Sequence, residues 1–349
     1  MVIAIPCRPA EERPPYQRSF RAKGNIDKRL SIPQFMHRVL ILDLLIERKA
    51  FGHYGNLEIL RPFSEKGDVE CWLLTPQMQN NLNLQSSNHA ESSTSAKTTV
   101  DIADSAFHSM TSEDFHPFTT PGSNLSSVID VEDVCFREEV EMNGNRVILQ
   151  RMQMPQPSEM KNWLQSANAN ALVCAGSRYN VSMWEGWMDV VAELLRKAVE
   201  LRVPTLGICF GHQILAKSLG GDVNRALECT DLVSEVNLTE IGFSDPLFAE
   251  LSIPRGLFTH QDHVSNLPPN CILLATIEHT KNCAFRVVDF DGIMLPVWGL
   301  QFHPEAQDSV ISHAIIMSEF SQVQQEIFSA PHDGGKVLSN FANIAMGHQ

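Results

Sequence analysis

The sequence predicts an α/β fold with a mostly parallel central sheet flanked by helices on both faces. Three observations carry this. Short, continuous apolar runs recur along the chain, each the length of one buried strand. Segments with helical spacing lie between them, so strand and helix alternate through the middle of the chain. Proline and glycine punctuate the junctions, as at Pro204 and Gly220-Gly221.

The first buried strand is Val39-Leu40-Ile41-Leu42, entered from Arg38 and left at Asp43. A helix is expected over 56–63 and a second strand over 69–74. From 76 to 127 Asn, Gln, Ser and Thr dominate, as in Gln85-Ser86-Ser87-Asn88. Such a stretch buries too little apolar area to offset its ordering entropy. It reads as a disordered insertion within one domain, because neither flank can supply a core alone. Regular structure resumes near residue 130, with a helix expected over 159–166. A strand over 171–175 ends in Gly176-Ser177. A helix over 184–202 places Val190, Val191, Leu194 and Leu195 on one side. Pro204 stops it, 205–208 forms a strand, and a helix over 212–219 ends at the glycine pair. Strands over 271–276, 285–288 and 297–302 and one last helix over 309–328 complete the reading. The expected organisation is a flexible tail over 1–37, one domain over 38–330 interrupted by 76–127, and a C-terminal tail over 331–349.

Composition narrows the function classes. The 349 residues are 43% hydrophobic, enough for a full core, and 27 Lys and Arg against 41 Asp and Glu give a net charge of −14. So acidic a surface repels phosphate backbones and anionic membranes, so neither nucleic acid nor membrane is expected as a partner. No apolar run is long enough for a bilayer. The eight cysteines are scattered without a C-x-x-C pair, which reads as reduced thiols in a cytosolic protein and as no metal site. The apolar stretch 1–7 has no basic residue ahead of it and makes a poor signal peptide. Residues 8–38 carry several Arg and Lys, but Glu11, Glu12 and Asp27 weigh against a transit peptide.

The strongest chemical signal is Gly207-Ile208-Cys209-Phe210-Gly211-His212-Gln213. Glycines two positions either side of a cysteine permit a sharp strand-to-helix turn that exposes the side chain at the sheet end. The helix N-terminus beside it favours negative charge, hence a thiolate. The same turn aims the Phe210 N–H at an oxyanion formed there. An arbitrary free cysteine is more often a buried small hydrophobe; the flanking glycines and the strand–turn–helix context overturn that reading here.

The second signal is Gly299-Leu300-Gln301-Phe302-His303-Pro304-Glu305. Residues two apart on an extended segment share a face, and Pro304 restrains His303 to extended angles. His303 can take a proton from Cys209 while Glu305 fixes its tautomer. A lone His-Pro-Glu is a common surface turn; its weight comes from the apolar strand before it and the cysteine elbow elsewhere.

These two motifs resemble those of the class I (triad) glutamine amidotransferases, a flavodoxin-like α/β family, over about residues 38–310. Two weaker matches support them. Ala175-Gly176-Ser177 is similar to the family's oxyanion loop, and His260-Gln261-Asp262-His263-Val264 to its His-Gly-Asp-x-Val segment. The resemblance implies Cys209 as nucleophile, His303 as base and Glu305 as its orienter. It implies Gly176 and Phe210 as oxyanion donors and Gln213, His260 and Asp262 as substrate-binding residues. Gln261 stands where the family has glycine, so a changed pocket or specificity is expected there. His212 is expected to pack rather than react. His260, Asp262 and His263 lack further ligands for a metal. Trp184 and Trp187 suit core or pocket wall, and Tyr179 and Asn180 either touch substrate or shape the loop.

The implied reaction is hydrolysis of glutamine through a γ-glutamyl thioester, without a cofactor. About forty residues follow Glu305, too few for an acceptor-activating domain on size grounds, and no Walker-type phosphate loop is present. The chain therefore resembles the stand-alone fungal and plant relatives, some of which serve secondary metabolism. It is expected to pass ammonia to a partner enzyme. Two alternatives stand beside this: a γ-glutamyl peptidase acting on glutathione-type conjugates, and an inactive module that regulates a partner.

Overall fold

The computed structural model describes residues 36–45, 49–78, 107–110 and 135–347. Strand β1 (His37–Leu42) runs parallel to β2 (Val69–Leu74), with helix α1 (Lys49–Ser64) between them. The hairpin β3 (Arg137–Met142) and β4 (Asn145–Met152) follows, β4 parallel to β2. Its two-residue loop is Asn143-Gly144, both at positive φ (54° and 77°). That dipeptide is the favoured hairpin turn, because it tolerates two left-handed residues. This is the signal for β3 and β4 that the pattern of apolar runs missed.

Helix α2 (Met160–Ala167), β5 (Ala171–Cys174), α3 (Gly186–Glu200), β6 (Thr205–Ile208) and α4 (Phe210–Ser218) then alternate as expected. The chain continues through β7 (Asp222–Glu235), β8 (Asn237–Leu238), α5 (Glu240–Ser244), β9 (Arg255–Asn266), β10 (Cys271–Thr276), β11 (Ala284–Val288) and β12 (Met294–Leu300). The main sheet has the order β3-β4-β2-β1-β5-β6-β12-β11-β10-β8. Its central strands from β4 to β12 are parallel and its margins antiparallel. β7 and β9 form a separate antiparallel pair.

Alternation along β1 divides the core into two layers. Val39 and Ile41 pack with Ile59, Leu60 and Phe63 of α1. Leu40 and Leu42 pack with Trp163 and Leu164 of α2, Val191 and Leu195 of α3, and Ile214 and Leu215 of α4. A continuous apolar strand is therefore explained by helices on both faces.

Two C-terminal expectations change. The single helix over 309–328 is two helices, α6 (Asp308–Ile316) and α7 (Gln322–Phe328). Ser318 takes φ 57°, and the N–H groups of Ser318 and Glu319 return to the carbonyls of Ile315 and Ala314. This left-handed stop closes α6 without a glycine. Residues 331–349 are not a tail over their described part: α8 (Gly334–Gly347) buries Val337, Leu338, Phe341 and Ala345 in the α1 layer. The apolar residues of α8 are spaced for a helix, but its small residues and glycine-rich start mask the signal.

The expected tail over 1–37 lies outside the described residues apart from Met36 and His37. Most of the polar insertion over 76–127 does too. Its described pieces, 76–78 and 107–110, are not free of the core: Gln77 is buried, Ser109 bridges to Met152, and the Phe107 ring lies 4.8 Å from that of Trp72. Among the described residues no helix is long and apolar enough to cross a membrane.

Candidate active site

The sequence-predicted site residues converge beyond the carboxyl ends of three neighbouring strands, β5, β6 and β12, the usual place for a site in an open parallel sheet. Gly176 follows β5, Cys209 follows β6, and His303 follows β12. Parallel pairing of β6 with β12 (Ile208↔Leu300) brings the two distant motifs together, and the Cys209 N–H donates to the Leu300 carbonyl at 2.8 Å.

Cys209 sits at φ 51°, ψ −102°, a conformation that costs a non-glycine residue on the order of 1–3 kcal/mol and recurs at functional sites. The surrounding glycines allow it. A Cβ on Gly207 would lie 2.5 Å from the Gly211 carbonyl oxygen, and a Cβ on Gly211 would run into the Cys174 carbonyl. The elbow is thus pressed against β5, and only glycine fits at both contacts. Phe210 opens α4, so its N–H has no intrahelical acceptor. Its ring stacks on Trp187 (5.7 Å, 23°), which makes Trp187 a wall of the elbow, whereas Trp184 is partly exposed and donates to Asp189.

His303 and Glu305 are both buried, and His303 Nδ1 lies 2.8 Å from Glu305 Oε1. That contact leaves Nε2 for the cysteine side; Nε2 has no hydrogen-bond partner among the described residues. Burial opposes the imidazolium. Its interactions with Cys209 and Glu305 outweigh it, so the His303 pKa stands well above the ordinary imidazole value. Gly176 abuts the ring: a Cβ there would lie 2.8 Å from His303 Cε1. Cys71, Cys174 and Cys283 are pushed upward by burial, which makes them inert thiols.

A cleft of about 430 Å³ opens over these groups, lined by Cys209, Phe210, Gln213 and His303 and roofed by β7 and β9. Gln213, expected to bind substrate, donates its side-chain amide to the Asp262 carbonyl (2.7 Å) and to Gln301 Oε1 (3.3 Å), tying α4 to β9 and β12. His260 holds the Asp262 carbonyl through Nδ1 at 3.0 Å and keeps an unpartnered Nε2. Burial lowers its pKa to about 4, so it is neutral. Asp262 also lines the cleft. Both its carboxylate oxygens accept from Ser182, from N at 2.7 Å and from Oγ at 2.9 Å, which anchors the loop after β5. His212 packs on Phe285 away from the cleft, fully buried, with its pKa lowered to about 3 by burial. Arg225 and Thr259 also line the cleft and were not singled out in the sequence; their strands lacked a clear apolar run. Among the described residues no group of three or more His, Cys, Asp or Glu could hold a metal ion.

A cysteine on a strained elbow at a helix N-terminus, beside a buried histidine–carboxylate pair, forms an arrangement suited to nucleophilic acyl transfer. The family described as glutamine amidotransferase class-I matches residues 135–323, more than half of the chain. The chain belongs to that family. It is 38% identical over 116 residues to one subunit of the glutamine-hydrolyzing GMP synthase of Pyrococcus abyssi, covering 32% of this chain and 56% of the relative. It is 39% identical over 109 residues to the corresponding subunit of Thermococcus kodakarensis, covering 30% and 53%. The chain spans about half the length of these curated relatives. A crystal structure of a glutamine amidotransferase from Methylobacillus flagellatus overlays with a TM-score of 0.45 at 21% identity, covering 57% of this chain and 82% of the other.

Proposed function

We propose that the chain hydrolyses the γ-amide of glutamine and supplies the ammonia to a partner enzyme. The observation that carries this reading is the His303–Glu305 contact at 2.8 Å beside the Cys209 elbow. The Cys209 thiolate attacks the amide carbonyl, forming a C–S bond and an oxyanion that accepts hydrogen bonds from the N–H groups of Gly176 and Phe210. One such donor contributes about 3 kcal/mol to lowering the barrier. The His303 imidazolium gives its Nε2 proton to the leaving nitrogen, ammonia departs, and a γ-glutamyl thioester remains. Water, losing a proton to His303, then displaces Cys209 and releases glutamate. Glu305 accepts from Nδ1 and holds the imidazole tautomer. The raised His303 pKa supports its part as proton donor to the leaving nitrogen. Hydrolysis of a γ-glutamyl peptide bond uses the same steps with an amine as leaving group.

The test is a glutaminase assay beside a γ-glutamyl-peptide assay, with labelling by a glutamine-mimicking diazoketone. Ammonia release that vanishes in Cys209→Ser and His303→Ala, both still folded, is the expected result. Failure to label Cys209 under conditions that label a control amidotransferase would sink the enzyme reading. Turnover of the peptide and none of glutamine would replace the first substrate with the second.

A further inference from the structure

β7 and β9 pair regularly except at one point. Arg225 stands opposite Asp262 and Thr230 opposite His260, so residues 226–229 of β7 face Gln261 alone. A bulge of this size leaves backbone carbonyls without ladder partners. Gln261 supplies them: its Nε2 donates to the Ala226 carbonyl at 3.0 Å and the Leu227 carbonyl at 3.4 Å. Its Oε1 accepts from Arg225 at 2.6 Å, and the second terminal nitrogen of Arg225 lies 3.1 Å from Met183 Sδ. A glycine at 261 would offer none of these contacts.

Arg225 is thereby held at the cleft that contains Cys209 and His303, yet no carboxylate pairs with it among the described residues. Three acids line the same cleft: Asp262 accepts from Ser182, Asp231 accepts from Gln324 at 3.0 Å, and Glu319 follows α6. In a chain of net charge −14, a tethered guanidinium without an anion of its own is a receptor for one. We propose that Arg225, aligned by Gln261, is a specificity-determining residue that binds a carboxylate of the substrate. The inference rests on the amide-hydrolysis reading. That carboxylate is the α-carboxylate of the γ-glutamyl group or the terminal carboxylate of a peptide beyond the scissile bond.

Steady-state kinetics of the full chain with four substrates separate these: glutamine, glutamine α-amide, a γ-glutamyl dipeptide, and the same dipeptide amidated at its C-terminus. Arg225→Met is expected to raise KM about 10- to 100-fold for substrates bearing the recognised carboxylate, the range for a lost charged hydrogen bond. kcat should change little, and KM for the substrate lacking that carboxylate should stay put. Gln261→Gly should shift KM in the same direction by less. An effect on glutamine but not its α-amide assigns the α-carboxylate. An effect confined to the free dipeptide assigns the terminal one. Equal KM changes across all four substrates, or a fall in kcat alone, overturn the inference. Calorimetric titration with glutamate and with the free dipeptide reads the contact without turnover. Affinity for both left unchanged by Arg225→Met overturns the inference even where hydrolysis is observed. Affinity for either that depends on Arg225, in a chain that turns over none of the four, overturns the hydrolysis reading and leaves the inference standing.

Discussion

His303 Nδ1 lies 2.8 Å from Glu305 Oε1, with both side chains buried and Pro304 between them in a turn that the Ala306 N–H closes on the His303 carbonyl. The carboxylate therefore sets which ring nitrogen carries a proton and leaves Nε2 for Cys209. Glu305→Gln keeps shape but can offer an N–H to the ring, favouring the wrong tautomer. We expect kcat to fall roughly 10²- to 10⁴-fold, by analogy with the same change in a serine triad, with the melting temperature little changed. Turnover within threefold of wild type would remove Glu305 from this role.

The elbow makes a second prediction. Gly211→Ala forces a Cβ into the Cys174 carbonyl, and β5 cannot recede without breaking its pairing with β1 and β6. Overpacking of this kind costs about 1–3 kcal/mol. Urea melts should show that loss together with lost activity, whereas Gly347→Ala, with open space around it, should leave stability near wild type.

Phe341 tests whether α8 belongs to the core. Its ring meets Phe63 of α1 and Trp298 of β12 edge-on, each at 6.2 Å. Phe341→Ala should cost about 3–5 kcal/mol. A change under about 1 kcal/mol in a urea titration, the scale of a surface substitution, would return 331–349 to the status of a tail.

The buried histidines predict a pH dependence. His212 and His260 have folded pKa values lowered by burial to about 3 and about 4. Below their unfolded pKa, about 6.5, the unfolded chain binds their protons and the folded chain does not. Stability must therefore fall as pH drops from about 6.5 toward 4. His303 is raised, so its contribution is fully present below its unfolded pKa and is lost only as pH rises through the folded value. It adds nothing to the acid slope. His260→Asn should make the acid loss shallower in melts at a series of pH values; an unchanged slope would show that His260 does not couple folding to protons.

Much of the fold was legible because its cues are local. The runs at 39–42, 171–174 and 205–208 had to be buried strands, and structure confirms each. Missed elements had weaker or different cues. β3 is mostly charged and β4 carries only the three-residue apolar run Val147-Ile148-Leu149, so the pair announces itself through Asn143-Gly144. β7 is largely exposed along its length and shows no apolar run. Of the candidate site residues, Cys209, His303, Glu305, Gly176 and Phe210 are brought together, and Asp262 accepts from Ser182 in a loop contact that no local pattern encodes.

By itself the sequence determined the buried strands, the glycine-framed elbow at Cys209 and the His-Pro-Glu turn, because each depends on residues within one turn of backbone. Tertiary structure alone decided that β6 and β12 are neighbours, that α8 closes the core, and that Gln261 spans the β7 bulge to hold Arg225. These are long-range matches. They depend on which strand edge has free N–H and C=O groups, which apolar face lacks a cover, and which carbonyls a bulge leaves unpaired, and none of these quantities exists until the sheet has formed.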